Sequence, residues 1–151
     1  MQQLIKLLKK SEAHAGFEKA VKGVPFDQMG VRPEGSPHSL WQLLEHIRLA
    51  QRDILEFSQS ADYVPRNWPA DYWPKSPAPK NAAEWDHSVR AVMHDRDAFI
   101  KLLEDPERDL NAPFPWGEGQ TLFREALLIL DHNAYHVGEI VLLRRILGIW
   151  K

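Results

Sequence analysis

The sequence predicts an all-α protein, a four-helix bundle with long crossover loops, and three observations carry that prediction. Apolar residues recur every third or fourth position in four separate stretches, no stretch alternates with a period of two, and segments rich in proline and glycine divide the stretches. With 151 residues, 44% of them hydrophobic and 26% charged, the chain has an ordinary globular composition and the length for one core. A single domain over residues 1–151 is expected.

In the first stretch Leu4, Ile5, Leu8, Ala15 and Phe17 fall at helical spacing, and the helix is predicted to continue until Gly23 and Pro25 stop it. Ser36 before Pro37 has the pattern of an N-cap followed by proline at the first helical position. It is read as opening a second helix, with Leu40, Leu43, Ile47, Ala50 and Ile54 on one face, that runs to about Phe57. Pro65, Pro69, Pro74, Pro77 and Pro79 exclude a regular element between Ser58 and Lys80. Asn81 with Glu84 resembles a capping box for a third helix, whose buried side holds Val89, Val92, Met93, Phe99, Ile100 and Leu103 and which Pro106 ends. A second loop carrying Trp116 leads to Gln120 or Thr121, where a fourth helix of nearly thirty residues begins and runs until Gly148. That helix is apolar almost all round, as expected of a central helix or one at a subunit interface.

The charge balance excludes several partners. Nineteen basic and 21 acidic residues, interspersed along the chain for a net charge of −2, form no block that would follow a nucleic-acid backbone or an anionic membrane. No charge-free run of about 18 residues is present to span a bilayer. The absence of cysteine excludes thiolate ligands and a cysteine nucleophile and leaves no mark of an oxidising compartment. The first twenty residues lack the pattern of a signal peptide, so a cytoplasmic location is the expectation.

Seven histidines remain to be sorted. His132 and His136 stand one helical turn apart, the spacing that lets two imidazoles reach one ion. Their stripe includes Glu125 and Glu139, carboxylates able to orient or supplement ligands. His46 lies at the flank of the second helix, in line with Gln42, Ala50 and Asp53, where it would point into a bundle cavity and supply a third ligand. His87 and His94 share a face opposite the apolar one and are expected in water, while His14 and His38 have no aligned partner. Spacing alone leaves two readings open: metal ligands, or hydrogen-bonded histidines at the core boundary.

The words SLWQLLEHIRLAQRDILEF and DHNAYHVGEIVLLRRILG, with aromatic loops between them, resemble the DinB-like family, named for DNA-damage-inducible proteins. The resemblance covers essentially the whole chain and implies an up-down-down-up bundle. It implies too that three histidines, here His46, His132 and His136, hold a nickel or zinc ion. Relatives include thiol transferases that use bacillithiol and isomerases that use mycothiol; the family name does not imply DNA chemistry.

Three functions follow as expectations. The first is a metal-dependent transferase that joins a low-molecular-weight thiol to a small electrophile, and the second a metal-dependent hydrolase; in either, Glu139 or Asp53 would orient ligands or move a proton. The third is a non-enzymatic bundle with a structural metal, dimeric through the fourth helix. The loop aromatics Trp68, Tyr72, Trp73 and Trp116 either wall a small-molecule pocket or close the open ends of the bundle.

Overall fold

The computed structural model describes residues 1–151 and is all-helical, with no strand beyond an isolated bridge between Pro113 and Thr121. Its elements are α1 (Gln2–Lys9), α2 (Phe17–Val21), α3 (Phe26–Met29), α4 (Leu40–Gln59), a 3₁₀ turn at Ala70–Tyr72, α5 (Ala82–Glu104) and α6 (Leu122–Ile146).

Two helix starts differ from the sequence expectation. The first stretch is broken, since Lys10 is extended (φ −152°, ψ 121°) and Gly16 opens α2 instead of continuing α1. Between them the Ser11 hydroxyl accepts the His14 backbone N–H at 3.4 Å, the kind of local bond that competes with a helical ladder. At α4 the cap is Ser39, not Ser36. Its hydroxyl accepts the Gln42 N–H at 3.1 Å while the Gln42 side chain accepts the Ser39 N–H at 3.1 Å, a complete capping box that outcompetes a proline start. Asn81 does cap α5 by accepting the Glu84 N–H, but Glu84 reaches back one residue further, to the N–H of Lys80. Thr121 caps α6, which ends in a Schellman motif: Ile149 N–H bonds to Arg144 C=O, Gly148 N–H bonds to Arg145 C=O, and Gly148 adopts φ +71°.

Buried apolar residues form two clusters. One gathers Val21, Leu40, Leu44, Ile47, Trp85, Val92, Ile140 and Leu143; the other gathers Leu4, Leu8, Ile54, Leu55, Phe99, Leu103, Leu122 and Ile129. These memberships give the chain its direction. The α1–α2 stretch runs from the second cluster to the first, α4 and α5 both run from the first to the second, and α6 returns, an up-down-down-up order. Between the clusters the inward positions turn polar, with Gln51 on α4, Asp95 on α5, and Asn133 and His136 on α6. The order also dictates the loops. The connection 60–81 must travel back along a helix of 20 residues, about 30 Å, whereas the connection 105–121 joins two ends that are already adjacent. One flank of α6 stays exposed and apolar, with Phe123, Leu127, Leu142 and Ile146 each at least 41% accessible. No helix is long and apolar enough to cross a membrane.

Candidate metal centre

His46 of α4, set between Leu44 and Ile47 of the first cluster, meets His132 and His136 of α6 where that cluster borders the polar layer, and ligand atoms of all three lie within 4.8 Å of one another. His46 and His136 are buried and His132 is half-buried. The closest approach is between His46 Nε2 and His132 Nε2, at 3.1 Å. A tetrahedral ion with metal–nitrogen bonds of about 2.0–2.1 Å holds its ligand atoms about 3.3 Å apart, so this pair already stands near coordination distance.

The hydrogen bonds on the far side of each ring fix where its proton sits. His46 Nδ1 faces the Tyr72 carbonyl at 2.8 Å and, because a carbonyl only accepts, must donate there. His136 Nδ1 donates to Glu139 Oε2 at 2.6 Å. For His132 the assignment runs through a relay. The Val92 carbonyl accepts the Gln51 amide N–H at 2.7 Å, Gln51 Oε1 accepts the Asn133 amide N–H at 2.8 Å, and Asn133 Oδ1 is thereby left facing His132 Nδ1 at 3.4 Å. All three Nδ1 atoms are donors. Each ring therefore turns a bare Nε2 lone pair toward the other two, and no proton is left to bridge His46 and His132.

Burial keeps the rings neutral. It lowers the pKa of His46 and of His132, and it pushes His136 down to about 4, aided by the neighbouring His46 and His38. Three neutral, converging imidazole lone pairs are a donor set that suits a divalent transition-metal ion. The cluster can hold a metal ion.

The remaining expected residues separate. Glu139 sits against His136, and burial raises its pKa. Asp53 is not at the cluster: its two oxygens accept the hydroxyls of Tyr63 at 2.9 Å and Tyr72 at 2.7 Å and the Arg66 Nε at 3.2 Å. Glu125 is buried and paired with Arg124 at 2.8 Å, outside the histidine group. His14, His87 and His94 are exposed.

Two participants escape sequence reading, His38 and the backbone carbonyl of Tyr72, while Trp73 is among the expected loop aromatics. Trp73 stacks on His46 with centroids 4.0 Å apart and planes 2° apart, and His38 stacks on the other face of Trp73 at 3.9 Å and 14°. The expected start at Ser36 puts His38 inside the second helix without an aligned partner, whereas the observed start at Ser39 leaves it ahead of the helix, free to reach Trp73. The Tyr72 carbonyl belongs to the backbone, and no residue type announces it.

The model of the DinB superfamily matches residues 11–140. No curated protein and no solved structure matches the chain. The superfamily match spans most of the sequence, including His46, His132, His136 and the connection 60–81, and on it the chain belongs to the DinB superfamily.

Proposed function

We propose that this chain is a divalent-metal-binding protein, with nickel or zinc as its ion, and that it acts as a transferase joining a low-molecular-weight thiol to a small electrophile. The observation that carries the reading is the convergence of three Nε2 lone pairs whose Nδ1 protons are all committed elsewhere. His46, His132 and His136 would hold the ion, which when bound supplies Lewis acidity that favours deprotonation of a thiol or a water at neutral pH. Three protein ligands, one fewer than a closed structural zinc site uses, favour chemistry over a purely structural role.

The chain's own residues have defined parts in this reading. Glu139 accepts the His136 proton at Nδ1 and makes that imidazole a better donor at Nε2. Its raised pKa also suits it to take a proton at the edge of the centre. Trp73, stacked between His46 and His38, holds the plane of the His46 ring. The nucleophilic sulfur must arrive with a cosubstrate, because the chain contains no cysteine.

Elemental analysis of protein purified without chelator is expected to give about one nickel or zinc per chain, lost in His46→Ala and His132→Ala. Loaded protein is then assayed with small electrophiles and with esters, with and without added thiol. Thiol-dependent turnover supports the transferase; turnover of esters without thiol replaces it with a hydrolase; bound metal without turnover replaces both with a structural centre. The exposed apolar flank of α6 supports a homodimer through that helix. Sedimentation should then give a mass near twice 17.5 kDa, and a monomer at micromolar concentration overturns the dimer.

A further inference from the structure

The connection 60–81 only has to return the chain along the bundle, yet it is fastened heavily beside the histidine cluster. Asp53, two turns beyond His46 on α4, accepts three hydrogen bonds from it, from Tyr63, Arg66 and Tyr72. Arg66 also donates to Glu56 of the same helix at 2.9 Å. Tyr72 is thus held at both ends, its hydroxyl on Asp53 at 2.7 Å and its carbonyl on His46 Nδ1 at 2.8 Å. The next residue, Trp73, lies flat on the His46 ring and is backed in turn by His38. One loop therefore supplies both the acceptor that sets the tautomer of His46 and the plate that sets its plane.

We infer that Asp53 and Tyr72 are positioning residues for the metal ligand His46, with the connection 60–81 acting as a strap whose fastening and metal occupancy support each other. The inference rests on the metal reading above. Without the Tyr72 carbonyl the His46 proton has no reason to stay on Nδ1, and the tautomer with the proton on Nε2 turns a donor toward the cluster in place of a lone pair. Asp53 reaches His46 only through Tyr72, so its carboxylate acts by holding that residue in register. Partners of this kind change metal affinity by roughly 10- to 100-fold when removed. Linkage makes the effect reciprocal: a strap that favours the metal is itself favoured by the metal.

The test is the affinity of metal-free protein for Zn²⁺, measured by competition with a chromophoric chelator, in wild type, His132→Ala, Tyr72→Phe, Asp53→Ala and the Tyr72→Phe/Asp53→Ala pair. Tyr72→Phe should weaken binding about tenfold and Asp53→Ala 10- to 100-fold. The pair should be little worse than Asp53→Ala alone, since both cut the same link. A second readout is tryptic cleavage after Lys75 within the strap: Zn²⁺ should slow it in wild type and have little effect in the two single variants. Should Asp53→Ala fail to fold, Tyr72→Phe, which removes one oxygen, carries the test. Wild-type affinity in both strap variants, with binding lost in His132→Ala, overturns the strap and leaves the metal centre standing. Absence of Zn²⁺ binding by wild type overturns both.

Discussion

The connections 60–81 and 105–121 are alike in sequence, both rich in proline and both carrying tryptophan, but they meet the bundle in different ways. The second links the end of α5 to the start of α6, which lie at the same end of the molecule. Its Phe114 enters the apolar cluster there, Trp116 stacks on Phe114 at 5.2 Å, and the Trp116 indole N–H donates to the Phe57 carbonyl at 2.9 Å. The first has to pass the middle of the bundle, and it places Tyr72 and Trp73 on His46 while Trp68 remains 73% exposed. Topology decides this difference: the loop forced to run lengthwise is the one that can serve a layer between two cores. Of the aromatic residues expected either to wall a pocket or to close an end, Trp73 lies at the site and Trp116 closes an end.

The largest effect should come from Phe114→Ala, which opens an apolar cluster and should cost about 3–5 kcal/mol in urea denaturation while the folded protein keeps its metal stoichiometry. Trp73→Ala should do the reverse, with stability changed by about 1 kcal/mol and Zn²⁺ affinity reduced about tenfold. Equal stability losses in the two variants would erase the distinction between the loops.

Acid should probe the polar layer next. His136 titrates near 4 in the folded chain because it is buried, against 6.5 when free. Below about pH 6.5 the unfolded chain takes up a proton that the folded chain refuses, so the metal-free protein should lose stability as pH falls from 6.5 toward 4 and level off below that. Melting temperatures across this range should show the slope, and His136→Gln should reduce it, the buried His46 and His132 keeping the remainder. An unchanged slope in the variant would assign the acid sensitivity to other groups.

The smallest contrast lies in two helix caps, Ser39 of α4, which the connection 60–81 touches, and Thr121 of α6, which closes the connection 105–121. Ser39 and Thr121 each accept a backbone N–H at 3.1 Å, but Ser39 is fully buried and also donates to the Pro77 carbonyl within the connection 60–81. Thr121→Ala should cost about 1 kcal/mol and Ser39→Ala up to about 2, measured by urea denaturation. Matching costs would mean that the Pro77 bond adds nothing.

Much of this architecture is legible in the sequence, because helical spacing and caps are local signals. The apolar positions of α4, α5 and α6 lie where their periodicity puts them, and the three histidines can be picked out because each sits on a helix whose faces can be projected. The break between Lys10 and Gly16 is not legible, since Ser11 and His14 look compatible with a helix until their local hydrogen bond forms. Asp53 is visible as an acid in line with His46, but its engagement by Tyr63, Arg66 and Tyr72 depends on the path of a loop without periodicity. Glu125 shares the stripe of His132 and still turns to Arg124, a neighbour in sequence that a projection onto faces separates from it.

The polar layer between the two apolar clusters has a consequence for how such a protein changes over generations. Cores tolerate few substitutions because their side chains interlock, and most exchanges there threaten the fold. Here His46, His132, His136 and Glu139 belong to neither cluster, so one of them can be exchanged for another polar group while both cores remain closed. The scaffold separates the inheritance of its shape from the inheritance of its chemistry, and a lineage built on it is free to diversify the second while conserving the first.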